Sequence, residues 1–131
     1  MSTQTRRGVV LFAHGSRDPL WHRPMEAVRN HVMAMHPTDI CLCAYLEISI
    51  PSLPEAIDQM AEAGCSEIAV LPLFLGTGRH AREDLPLLMQ AAQSKHPSIH
   101  FTTATAVGED DRVIHLLAQI ASSLLYKDSK S

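Results

Sequence analysis

Two histidines stand in polar segments that follow apolar runs, and arginines flank both. His14 opens HGSRDP, with Ser16 and Arg17 close behind it, and His80 lies in GTGRHARED between Arg79 and Arg82. Glu47 follows a third apolar run, Ile40 to Leu46. Two neutral imidazoles with a carboxylate nearby suit a borderline divalent ion such as cobalt, iron, nickel or zinc. So sparse a donor set leaves coordination positions open, which fits an ion that is passed on rather than kept. Histidine, with its unperturbed pKa near neutrality, or a carboxylate can also take up protons. The arginines add a second requirement, because guanidinium groups pair bidentately with carboxylates, so Arg17, Arg79 and Arg82 point to a polycarboxylate ligand.

The elements that must position these residues alternate along the chain. Gly8 to Ala13 is a continuous apolar run, as expected of a strand buried on both faces of a parallel sheet. Asp18 and Pro19 supply the cap and first position of a helix that carries Trp21, Met25, Val28, Val32 and Met35 on one face and ends at Pro37. Ile40 to Leu46 is the second strand, and Ser52-Leu53-Pro54-Glu55 is a capping-box pattern for a helix that stops at Gly64. The third strand is placed at Glu67 to Leu75, with pairing loosened at Pro72. A loop spanning GTGRHARED then leads to a helix with Leu85, Leu88, Met89 and Ala92 that runs to Lys95. A fourth strand at Ile99 to Ala106 precedes a last helix, from Asp110, with Val113, Leu117, Ile120 and Leu124 inward.

The order βαβαβαβα, with right-handed crossovers, predicts a doubly wound α/β domain: about four parallel strands with helices on both faces. Ligands of such sheets bind beyond the carboxyl ends of the strands, where strand order reverses. With the order 2-1-3-4 that point lies between strands one and three, so His14 and the loop holding His80 meet there and Glu47 flanks them. Gly76 and Gly78 give the third loop freedom to move over a ligand.

At 131 residues, with 46% hydrophobic and 19% charged residues, the chain has the size and composition of one soluble folded domain, 1–131, with residues 1–7 and 127–131 expected to fray. A net charge of -3 disfavours a nucleic-acid partner. The run Val9 to Ala13 is too short for a signal-peptide core or a membrane span, so a cytoplasmic protein is expected. Cys41, Cys43 and Cys65 form no CxxC pair and read as reduced core thiols.

The other candidates weigh less. Ser16 lacks a GxSxG elbow, so it reads as a turn-forming or backbone-bonding serine rather than a nucleophile. His22, His31, His36, His96, His100 and His115 fall on helices, helix ends or a strand and are assigned no role. A histidine-phosphatase-like use of AHGSR is unfavourable, because Ala13 stands where that family has arginine. A non-catalytic metal carrier or sensor would use the same histidines, but it has no need of carboxylate anchors.

HGSRDP at His14 to Pro19, YLEISIPSLPEAI at Tyr45 to Ile57 and PLFLGTGRHAREDLP at Pro72 to Pro86 resemble the small CbiX-type sirohydrochlorin chelatases of the class II chelatase superfamily. The resemblance implies insertion of a divalent metal into sirohydrochlorin, in cobalamin or related tetrapyrrole synthesis. It makes His14 and His80 metal-handling and catalytic, with Glu47 as a further ligand or proton acceptor. Arg17, Arg79, Arg82 and Ser16 are then the substrate-binding set. Cobalt is the implied metal, with nickel or iron as alternatives; the metal is a substrate, and no permanently bound cofactor is implied. Larger members of that superfamily hold two such halves, whereas this sequence has one copy, so a homodimer is expected.

Overall fold

The computed structural model describes residues 6–126. The elements run β1 (Arg6–Ala13), α1 (Pro19–Met35), β2 (Ile40–Tyr45), α2 (Leu53–Glu62), β3 (Cys65–Pro72), α3 (Arg79–Lys95), β4 (His100–Thr103), a 3-10 turn at Val107–Glu109 and α4 (Asp111–Ser123). All strand pairs are parallel, and the sheet order is β2-β1-β3-β4, as the alternation predicts.

Local chemistry sets the boundaries. Asp18 caps α1 by accepting from the Leu20 N–H at 2.9 Å. Ser52 and Glu55 close a reciprocal capping box on α2: the Ser52 N–H donates to Glu55 Oε1 at 2.8 Å and the Glu55 N–H to Ser52 Oγ at 3.3 Å. Gly64 ends α2 at φ +92°, a conformation that favours glycine.

Several boundaries differ from the sequence reading. Arg6 and Arg7, expected to fray, belong to β1, because Arg6 pairs with Cys65 and the Arg7 backbone and guanidinium both bond Asp39. The expectations for residues 1–5 and 127–131 lie outside the described residues. β3 ends at Pro72, which cannot donate a ladder hydrogen bond, and β4 ends at Thr103, each short of the end expected from sequence. The largest difference concerns GTGRHARED: helix α3 begins at Arg79, so His80 lies in its first turn rather than in a loop. Pro86 sits inside α3, as Pro24 sits inside α1. A proline well into a helix forfeits one backbone bond, and the helix-favouring residues before it keep the turns formed.

The core lies on one side of the sheet. Val10 and Phe12 of β1, Ala44 of β2 and Ile68 and Val70 of β3 pack on Leu53, Ala56, Ile57 and Met60 of α2 and on Ala81 and Ala92 of α3. Gly8 belongs to this face, where an added Cβ would stand 2.7 Å from the Met60 sulfur. The alternate side chains face α1, which also covers the outer edge of β2: Arg29 Nε donates to the Cys41 carbonyl at 3.0 Å and the Cys41 N–H reaches Met33 Sδ at 3.2 Å. No helix among the described residues is long and apolar enough to cross a membrane.

Candidate metal site at the carboxyl end of the sheet

His14 is the first residue after β1, and its backbone is held from the neighbouring strand end. The Leu46 N–H donates to the Ala13 carbonyl at 2.8 Å and the Glu47 N–H to the His14 carbonyl at 3.0 Å, so β1–β2 pairing continues past both strands. His14 and Glu47 are thereby neighbours across the strand ends. The His14 side chain is exposed, with its ring on the Phe74 ring at a centroid distance of 4.4 Å. Phe74 follows β3 and is buried, so the contact ties the β1 end to the segment that leads to His80.

The next residues leave no freedom. Gly15 adopts φ +109°, and a Cβ there would lie 1.9 Å from the Glu47 carbonyl oxygen. Ser49 donates through Oγ to the Ser16 carbonyl at 2.8 Å and accepts from the Ser16 N–H at 2.9 Å. The Ser16 hydroxyl in turn accepts from the Asp18 N–H at 3.0 Å, the backbone-bonding role its context predicts. Between Glu47 and Ser49, whose N–H donates to the Glu47 carbonyl at 2.7 Å, Ile48 sits at φ +72°. This is the rare, strained γ-turn geometry, and Ile48 is β-branched, so the β2–α2 loop stores strain beside Glu47.

His22, given no role from sequence, completes this latch. Its Nε2 donates to the Ser16 carbonyl at 2.8 Å and approaches Ser49 Oγ at 3.3 Å. That leaves Nδ1 of the neutral ring to accept from the Tyr45 hydroxyl at 3.1 Å. Burial first, then the neighbouring Cys43, pushes the Tyr45 phenol up to about 12, so it stays protonated and able to donate. The one available sequence signal was position: His22 lies one turn beyond the cap Asp18, and helical side chains lean back toward the preceding turn. Ser49 gave no signal, because its partner is distant in sequence.

His80 contrasts with this. Its side chain is 90% exposed and its Nδ1 stands 3.7 Å from Asp84 Oδ2, an i,i+4 contact on α3. Arg79 pairs with Glu83 at 3.2 Å, also exposed, and Arg82 Nη1 donates to the Thr77 carbonyl at 2.8 Å. Arg17 is exposed on the β1–α1 loop. The cavity nearest this segment, about 370 Å³, is lined by Phe74, Thr77, Arg82 and Pro86 among others. Among the described residues no group of three or more His, Cys, Asp or Glu side chains is gathered for a metal, so His14, His80 and Glu47 do not form a closed three-ligand set within one chain.

The cysteines stand apart. Cys41 and Cys65 are buried and Cys43 is half-buried, and burial is the largest cause of the raised pKa of all three thiols, to about 11 at Cys41. Thiols held protonated in this way are poor metal ligands.

A four-stranded parallel sheet with histidine-bearing segments past two adjacent central strands defines a class of α/β ligand-binding domain. The CbiX family model matches residues 8–124, and the chain belongs to the CbiX family. A sirohydrochlorin cobaltochelatase of Methanopyrus kandleri is 33% identical over 81 residues, 62% of this chain and 57% of that protein. A sirohydrochlorin cobaltochelatase of Sulfurisphaera tokodaii is 25% identical over 124 residues, 95% of this chain and 98% of that one. A solved structure described as a cobalamin (vitamin B12) biosynthesis CbiX protein from Marinobacter aquaeolei superposes with a TM-score of 0.79 at 26% identity, covering 92% of this chain and 98% of the other. In the Methanopyrus match, as in several others, the aligned part spans less than two thirds of the relative's length.

Proposed function

We propose that this protein inserts a divalent metal ion, cobalt in the first place, into sirohydrochlorin. The reading balances as one metal ion and one free-base macrocycle giving the metallated macrocycle and two protons. Metal and tetrapyrrole are both substrates, and the reaction as written needs no resident cofactor. Membership of the CbiX family supports the reading, as do the names of its relatives.

The observation that carries it is the pair of exposed imidazoles beyond the carboxyl ends of β1 and β3, in a chain whose thiols are withdrawn from solvent. Two histidines hold an ion through exchangeable bonds and leave positions for pyrrole nitrogens. As the ion enters the ring, Glu47 or a histidine released from the metal accepts the pyrrole protons. Arg17, Arg79 and Arg82 pair with the acetate and propionate arms, and the Ser16 turn fixes the loop against which the macrocycle lies. The exposed Leu20, Ile48, Ile50 and Leu75 give the flat ring an apolar surface at this end of the sheet. The reading takes a homodimer in the cytoplasm as the working form.

The test is metallation of sirohydrochlorin followed by absorbance under anaerobic conditions, with cobalt, nickel and ferrous iron in turn. The protein is expected to exceed the spontaneous rate with at least one cation, and His14→Ala or His80→Ala to reduce that acceleration by about 100-fold or more. Full rates in both variants overturn the site. Metal binding with no rate effect for any cation makes the protein a carrier instead.

A further inference from the structure

Three residues among those described have a positive φ: Gly15 at +109°, Gly64 at +92° and Ile48 at +72°. Glycine takes this conformation without steric cost. Ile48 is β-branched, the type for which a positive φ is least tolerated. The fold thus supplies glycine where only the backbone has to bend, and at residue 48 it keeps a side chain that makes the bend harder.

The bend itself is fixed from both sides. The Glu47 N–H donates to the His14 carbonyl at 3.0 Å, Ser49 Oγ accepts from the Ser16 N–H at 2.9 Å and donates to the Ser16 carbonyl at 2.8 Å, and the Tyr45 N–H donates to the Pro51 carbonyl at 3.0 Å. With the Ser49 N–H returning to the Glu47 carbonyl at 2.7 Å, one residue has to reverse the chain, and that residue is Ile48. The latch demands the conformation. It does not demand an isoleucine.

Packing does not account for the isoleucine either, because Ile48 is 61% exposed and takes no part in the core. A single exposed apolar residue needs no explanation on a protein surface, but one held at positive φ does. A side chain that strains its own backbone and gains little by burial within the chain has its use outside the chain. Ile48 directly follows Glu47, at the carboxyl end of the sheet. The apolar Leu20 and Ile50, 61% and 84% exposed, lie on the two segments that the Ser16–Ser49 bonds join. The stiff χ1 of isoleucine lets it present an apolar surface at little cost in rotamer freedom.

We infer that Ile48 is a substrate-binding residue that lies against the apolar face of the macrocycle, and that its strained conformation is retained for that contact. Guanidinium groups answer the carboxylate arms at the rim of the ring, whereas the faces of the ring call for an apolar partner. Glycine at this position would relax the turn and leave the face bare. Asparagine, tolerated at positive φ, would present an amide to it. A contact of this kind is made equally in the ground state and the transition state, so its loss is read in KM and not in kcat. The role rests on the chelatase reading, so binding of the metal-free macrocycle and its metallation are followed separately.

The experiment uses the full chain with Ile48→Asn, Ile48→Gly or Ile48→Val. The thermal midpoint, the binding of metal-free sirohydrochlorin by absorbance, and KM and kcat of metallation with the cation that serves the parent best are measured for each. Ile48→Asn is expected to raise the midpoint by roughly 2 to 6 °C, because it relieves the strain without the chain entropy of glycine, and Ile48→Gly to leave it no lower than the parent's. Both are expected to raise KM and the dissociation constant of the metal-free ring about 5- to 30-fold, with kcat within about twofold. Ile48→Val keeps a stiff apolar side chain and is expected to match the parent in all of these. Unchanged binding and KM in the Asn and Gly variants overturn the inference and leave the chelatase reading standing. A midpoint that falls in both overturns it too, since Ile48 would then serve the fold. So does a loss confined to kcat, or a smaller mass by light scattering with KM unchanged, which would assign Ile48 to contact with another copy. A parent that binds the ring but metallates with no cation ends the chelatase reading, and the binding constants alone then decide for Ile48. A parent that does neither ends both.

Discussion

The two histidine-bearing segments are built in opposite ways. His14 sits on backbone bonded to Glu47 and latched by Ser16, Ser49 and His22, and Gly15 fills a space that admits no other residue. His80 rides the first turn of α3 behind Gly76 and Gly78, where a Cβ would meet nothing within 4 Å. One imidazole is set by the fold, and the other has room to adjust. On the proposed reading, an ion that is gripped and then released would meet a fixed imidazole and a yielding one.

The contrast breaks most sharply at the glycines. Gly15→Ala must relieve both a positive φ and a clash with backbone, so a loss of roughly 2 to 4 kcal/mol is expected in denaturant unfolding. Gly76→Ala is expected to stay within about 0.5 kcal/mol of the parent and thus serves as its control. Equal losses at both positions would abolish the distinction.

Next in size is the latch. Ser49→Ala strands the Ser16 N–H and removes a donor from its carbonyl, so a loss of about 1 to 3 kcal/mol is expected, with slower metallation because His14 loses its seat. A variant with unchanged stability and rate would show that the latch does not hold the loop. On the other side, Asp84→Asn removes the contact to an exposed His80, and thermal unfolding is expected to move by no more than about 0.5 kcal/mol.

A further effect, read through pH, lies outside both segments. Asp58 joins α2 to the end of α3 through Lys95 and His96, each at 2.8 Å, and the Lys95 bond first, then the His96 bond, holds its carboxyl below the ordinary 3.8. A carboxyl whose pKa is depressed on folding contributes stability that is full above 3.8 and is lost as pH falls through the lower folded value. Asp58→Asn is therefore expected to flatten acid unfolding below pH 3.8 and to cost at most about 1 kcal/mol at neutral pH.

Much of this was legible in the residues. The alternating apolar runs, the Asp18 cap and the Ser52–Glu55 box were enough for element order and sheet topology, because each is a local signal. The start of α3 was not legible: Pro86 invites a helix beginning nearby, and only the folded chain shows that Arg79 to Glu83 already turn. The positions of His14, His80 and Glu47 near one end of the sheet follow from topology. The His22–Ser49–Ser16 latch does not, since it joins residues 27 and 33 positions apart through geometry that no periodicity encodes. The exposed apolar stripe of α4 is the reverse case: its pattern reads as a core helix, and the fold withholds the core.

The cover that α1 places on β2 has a consequence for how copies of this chain meet. With the Cys41 carbonyl and N–H taken by Arg29 and Met33, that margin of the sheet offers fewer open backbone groups for another strand to zip onto. The opposite margin, β4, is only four residues long. Growth strand by strand is thus discouraged at one side and brief at the other, which steers self-association away from open-ended fibres and toward closed pairs. Loss of Arg29 would free the Cys41 carbonyl at this margin and raise the hazard of strand-to-strand aggregation.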